Sequence, residues 1–171
     1  IATILAEFEG LKDRYTTPRI LLVEELEAHL HPQLQIKLLK YLSQQALDYD
    51  IQVIITTHST TLASVVPIDQ IVSIHRAKDG ALIIPIKDCG IDNTAKAFLD
   101  RWLDATKSAL FFSKGNIFVE GIAETILIPK LAEAYLKQYA TTHSIEISTL
   151  EDAGVSVINM NGIYLLAIMI V

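Results

Sequence analysis

Apolar and polar positions divide the chain into short apolar runs that alternate with stretches of helical spacing. Ile1, Ile4, Leu5, Phe8 and Leu11 predict an amphipathic helix over residues 1 to about 14. Ile20–Val23 is wholly apolar and stops at two adjacent acids, Glu24 and Glu25, the pattern of a buried parallel strand. Pro32 suits the first turn of the next helix, whose apolar face is Leu34, Leu38, Leu39, Leu42 and Ala46. Residues 52–57 predict a second buried strand that stops at His58 and Ser59. Ser59 or Thr60 is expected to cap a short helix through Val65, ended by Pro67. Residues 71–75 and 81–86 flank an Asp-Gly turn signal and predict a hairpin.

From Asp92, where it or Asn93 is the expected cap, the spacing is helical to about Phe112, with Phe98, Leu99, Trp102 and Leu103 on one face. Ser113-Lys114-Gly115 interrupts it, and the domain boundary is placed there. Residues 116–119 predict a strand ending at Glu120 and Gly121. A helix over residues 123–139 follows, with Ile126, Leu127, Leu131, Ala134 and Tyr135 on its buried side. Pro129 inside it implies a kink or a later start. Gly154 precedes a strand over residues 155–159, and Asn161-Gly162 makes a turn. The second part therefore reads β-α-β.

Composition narrows the class. The chain has 171 residues, 51% of them hydrophobic and only 7% aromatic, enough for one domain, or one and part of another, in the layered α/β style. A net charge of −6 argues against a free-standing nucleic-acid binder with a basic face. It leaves a nuclease open, because metal-binding acids add negative charge. The single cysteine, Cys89, forms no internal disulfide and points to a reducing, cytoplasmic location. The first ten residues carry acids rather than a basic leader, and the apolar close over residues 163–171 falls short of the roughly 20 residues of a membrane span. Starting at Ile1 in helical pattern, the chain is expected to be cut from a larger protein at both ends.

Glu24, Glu25 and His58 form the first chemical constellation. If the two apolar strands are parallel, with the intervening helix as crossover, all three residues reach the same rim. Carboxylates on one strand and an imidazole on the next suit a nucleoside triphosphate site: one acid for Mg²⁺, one for the attacking water, the histidine for the γ-phosphate. The alternative is a core strand running into a solvated acidic turn. Glu120 and Glu124 form the second constellation. Gly121 permits a tight turn between them, and hard cations such as Mg²⁺ or Mn²⁺ favour such oxygen ligands. The alternative there is an acidic turn stabilising a helix amino terminus.

Residues 20–32, ILLVEELEAHLHP, followed by VIITTHST from Val53, resemble the Walker B and switch-histidine segments of ABC-type ATPases. More narrowly they resemble the OLD family (overcoming lysogenization defect) of ATP-dependent nucleases. That family usually shows proline where this chain has Leu26, a departure expected to alter the turn more than the chemistry. The resemblance makes Glu24 the Mg²⁺-associated acid, Glu25 the catalytic base and His58 the switch histidine. Residues 27–31 match the segment near the dimer-facing loop, and His29 and His31 are not read as a zinc pair. No G-x-x-x-x-G-K-[ST] loop and no Ser-Gly-rich signature occur in the chain.

FFSKGNIFVEGIAETILIP from Phe111, followed by GVSVINMNG from Gly154, resembles the start of the Toprim domain in OLD-family nucleases. The resemblance makes Glu120 the first-strand acid of metal-assisted phosphodiester chemistry and Glu124 an additional metal ligand. Asn159, Asn161 and Gly162 match the second-strand turn. The D-x-D pair of Toprim domains does not occur beyond Gly162, and Asp48-Tyr49-Asp50 lies in the wrong place to supply it.

The expectation is an α/β chain holding the C-terminal part of an ABC-type ATPase sheet and the first β-α-β portion of a Toprim domain. Residues 1–113 belong to the former and 114–171 to the latter. The resemblance implies an ATP- and Mg²⁺-dependent DNA endonuclease with a role in phage defence, homo-oligomeric through its ATPase domains, with no membrane association. The fragment alone is expected to be inactive. Lys107, Lys114 and Lys130 are candidate DNA contacts, the alternative being a solvated surface. A non-nucleolytic ABC-type clamp and an inactive remnant are the rival readings.

Overall fold

The computed structural model describes residues 18–144 and 146–162; the expected first helix and the apolar close fall outside them. The chain divides into two compact units, Ile1–Val65 and Val66–Val171.

In the first unit, β1 (Ile20–Val23) pairs in parallel with β2 (Gln52–Ile55), with Leu21 opposite Val53 and Val23 opposite Ile55. The crossover is α1 (Pro32–Asp48), which opens with Pro32 in its first turn. Asp50, at φ 51, closes it, and Ile51 returns its N–H to the Ala46 carbonyl at 3.0 Å. Leu42 is the deepest residue of its inner face and joins Leu21, Leu26, Ile51 and Leu62 in the core. One expectation changes here. The strands are not buried on both faces: Leu22 is 71% exposed and Ile54 44%. The pairing spaces side chains alternately, and among the described residues only the Leu21 face is covered. A single helical turn, α2 (Thr60–Ala63), follows β2, and the Ser59 hydroxyl caps it by accepting the Leu62 N–H at 3.3 Å.

In the second unit, β3 (Val72–Ala77) and β4 (Gly80–Pro85) form an antiparallel hairpin around a two-residue turn, Lys78 and Asp79. Next comes α3 (Asn93–Trp102), capped by Asp92, whose carboxylate accepts the Ala95 N–H at 2.8 Å. The helix expected to reach Phe112 breaks at Leu103, which turns extended at ψ 121. Asp104 is the cause: its carboxylate accepts the N–H groups of Thr106 and Lys107 at 2.9 Å each and starts a separate 3₁₀ turn, Lys107–Phe111.

Then β5 (Gly115–Val119) pairs in parallel with β6 (Val155–Asn159), Val119 opposite Asn159, across α4 (Ile122–His143). Val119, Ile158 and Met160 are buried. The helix begins before Pro129 and runs through it, so the expected later start does not occur. Its apolar side is also not buried among the described residues: Ile126 is 65% exposed, Leu131 59% and Tyr135 65%. Helical spacing states which side is apolar, but burial requires a neighbour.

Candidate functional site

Both parallel pairs end in acids at their carboxyl edges. Glu24 follows the last pair of the first sheet, Val23 opposite Ile55, and His58 lies three residues beyond Ile55. The Thr56 N–H continues the ladder to the Val23 carbonyl at 2.9 Å, so the two chain exits stay adjacent. Glu24, Glu25 and His58 are all solvent-exposed at this edge. Glu25 has φ 46, in the left-handed region, which typically costs a non-glycine residue about 1–2 kcal/mol. Its N–H donates to the Thr56 hydroxyl at 3.2 Å. Strain held in place by a cross-strand bond at a chain exit is common where a side chain must be aimed.

Three residues that sequence reasoning left without a role hold this edge together. Glu27 accepts the Thr57 hydroxyl and the His58 N–H at 2.6 Å each. Burial pushes its carboxyl up, but these two bonds, with smaller contributions from its own backbone and the nearby His58, together hold the pKa below the ordinary carboxylate value. Thr57 also accepts the Ser59 N–H at 3.0 Å. Gln35, buried on α1, accepts the Ser59 hydroxyl at 2.8 Å and donates to the Leu30 carbonyl at 2.9 Å. The available signal was the threonine pair before His58, opposite the acids. Leu26, where the resemblance leads one to expect proline, is 4% exposed and packs into the core.

In the second sheet, Glu120 follows Val119 directly, and Glu124 lies in the first turn of α4. A Cβ at Gly121 would stand 3.3 Å from Glu124 Oε2, so the Glu124 carboxylate folds back over the glycine that separates it from Glu120. The ladder continues past Asn159: Met160 donates to the Val119 carbonyl at 2.8 Å and Gly162 to the Glu120 carbonyl at 2.8 Å. The Asn159 side chain accepts the Asn161 N–H at 2.8 Å and shapes the turn. Two exposed carboxylates at a strand end and a helix amino terminus are oxygen donors of the kind a hard divalent cation takes. Among the described residues, no group of three or more His, Cys, Asp or Glu converges.

Of the three lysines, Lys107 pairs with Asp104 and lies 5.4 Å from the Trp102 ring centroid. Lys130 pairs with Glu133 at 3.2 Å. Lys114 runs over Gly154 and is exposed.

Two models of known families match the chain. The model for an AAA ATPase domain matches residues 1–63, and the model for the overcoming lysogenization defect protein-like TOPRIM domain matches residues 111–170. The chain has the OLD-family architecture, ATPase followed by Toprim. Its mixed α/β fold agrees with both domains. No curated protein and no solved structure matches the chain. ATPase and Toprim domains together indicate an ATP-dependent, nuclease-like enzyme. Among the described residues, no helix is long and apolar enough to cross a membrane.

Proposed function

We propose that this OLD-family chain contributes to an ATP-dependent DNA endonuclease in which the β1–β2 edge serves ATP hydrolysis and the β5–β6 edge serves phosphodiester cleavage. The observation that carries the proposal is the repeated geometry: in each sheet a parallel strand pair delivers acids at its carboxyl end, where α/β sheets bind ligands. The proposed domain boundary stays at residues 113/114; the ATPase match ends at residue 63 and the Toprim match begins at 111.

At the first edge Glu24 would hold Mg²⁺ through water, Glu25 would take the proton of the attacking water, and His58 would meet the γ-phosphate. The sequence carries no P-loop, so the phosphate cradle must come from outside these 171 residues. At the second edge Glu120 and Glu124 would hold Mg²⁺ or Mn²⁺. Bound metal supplies charge neutralisation on the scissile phosphate and activation of water. Gly121, between the two acids, is extended at φ -150 rather than in the tight turn expected of it, and the Glu124 carboxylate lies 3.3 Å from where its Cβ would stand. DNA as substrate, self-assembly through the ATPase domains, a cytoplasmic location and a role in phage defence belong to the same proposal.

The test is plasmid cleavage and ATP turnover by the ATP-hydrolysing protein that contains this chain, with Mg²⁺ or Mn²⁺. Metal-dependent cutting that ATP modulates supports the reading. ATP-dependent DNA binding without any cutting would favour the clamp reading instead.

A further inference from the structure

We infer that Glu27 is a positioning residue that sets the placement of His58 against Glu24 and Glu25, through the bonds its carboxylate receives from the Thr57 hydroxyl and the His58 N–H. The inference deepens the ATPase reading above and rests on it. The two contacts, 2.6 Å each, use both carboxylate oxygens. They join the turn after β1 to the exit of β2, residues 30 and 31 positions apart in the chain. A second tie runs nearby, from the Glu25 N–H to the Thr56 hydroxyl. The histidine's backbone is therefore bonded to the acidic turn itself. A shift of either loop is passed to the other.

Glu27 lies in the turn by its own local bonds: Ala28 donates to the Glu25 carbonyl at 2.9 Å and Leu30 to the Glu27 carbonyl at 3.0 Å. Buried Leu26 anchors one side of it. The carboxylate is thus held from behind and aimed at the β2 exit. Its depressed pKa agrees with a charged acceptor of two short bonds. The chemistry also predicts which substitute works. A glutamine can accept from the His58 N–H with its oxygen and donate to the Thr57 hydroxyl with its amide, because a hydroxyl both donates and accepts. Alanine offers neither contact.

The experiment measures steady-state ATP hydrolysis by the ATP-hydrolysing protein containing this chain, for Glu27→Ala, Glu27→Gln, His58→Ala and the double variant. Glu27→Ala should lower kcat about 10-fold or more with KM for ATP changed less than about threefold, and Glu27→Gln should recover kcat to within about threefold. In the His58→Ala background Glu27→Ala should cost less than about twofold, because the residue it positions is gone. The inference is overturned if Glu27→Ala stays within about twofold of the parent, or if its loss is as large without His58. Glu25→Gln separates the two levels: retained hydrolysis in that variant defeats the ATPase reading itself, whatever Glu27 does.

Discussion

Gly162 donates its backbone N–H to the carbonyl oxygen of Glu120 at 2.8 Å, so the turn after β6 is fastened to the residue that leaves β5. Gly162 does so at φ 106, a conformation that side-chain-bearing residues rarely adopt. The bond extends a parallel ladder beyond its last paired residues and fixes the backbone from which Glu120 projects.

Glu120→Ala should therefore remove chemistry without removing the fold, since the ladder uses only the backbone of Glu120. DNA cleavage by the protein containing this chain should fall on the order of 100-fold or more, with ATP hydrolysis unchanged. A nicking assay run beside a phosphate-release assay checks both halves. Cleavage retained at the parent rate would place the nuclease acid elsewhere.

Glu25→Gln should block ATP hydrolysis by roughly 100-fold or more while ATP still binds. The amide keeps the side chain's shape but takes no proton, and the Glu25 N–H bond to Thr56 is a backbone contact that survives. Nucleotide binding by fluorescence titration and phosphate release give the two readouts.

Leu26→Ala should destabilise the first unit by about 2–5 kcal/mol, the usual range for truncating a buried leucine. Leu26 is packed in the cluster of Leu21, Leu42, Ile51 and Leu62. The midpoint of a urea unfolding curve for the chain, against that of Leu34→Ala on the half-exposed side of α1, measures the contrast.

Glu27 links stability to pH. Burial raises its pKa, the Thr57 and His58 bonds with smaller backbone and His58 contributions lower it, and the net shift is downward. A carboxyl depressed on folding stabilises the protein above its unfolded pKa and loses that contribution as pH falls through the folded one. The stability difference between the parent and Glu27→Ala should hold level from pH 7 to about 5.5 and shrink below about 4.5. Denaturant unfolding across that range is the check; a gap that widens on acidification would contradict the direction of the shift.

Much of this was legible in the residues themselves. Ile20–Val23 announced a strand by its apolar run, and Gly154 marked the start of the one at Val155–Asn159. Pro32 announced one helix start, and the pairs Ser59-Thr60 and Asp92-Asn93 announced two more, of which the structure uses Ser59 and Asp92, because a cap or a fixed φ acts within one turn. The same locality explains the one helix that broke. Asp104 offers its neighbours a competing acceptor, which ends the helix although the apolar periodicity continues.

What only the tertiary structure decided depends on partners far apart in the chain. Periodicity marked an apolar side on α4, yet Ile126 and Tyr135 are exposed, because amphipathicity does not specify a neighbour. Sequence placed Glu24, Glu25 and His58 at strand ends, since side-chain type and run length are local properties. The pairing of Val23 with Ile55 set those ends side by side. The bonds from Thr57 and His58 made Glu27 the link between them, because a hydrogen bond spanning 30 residues is created only by the fold.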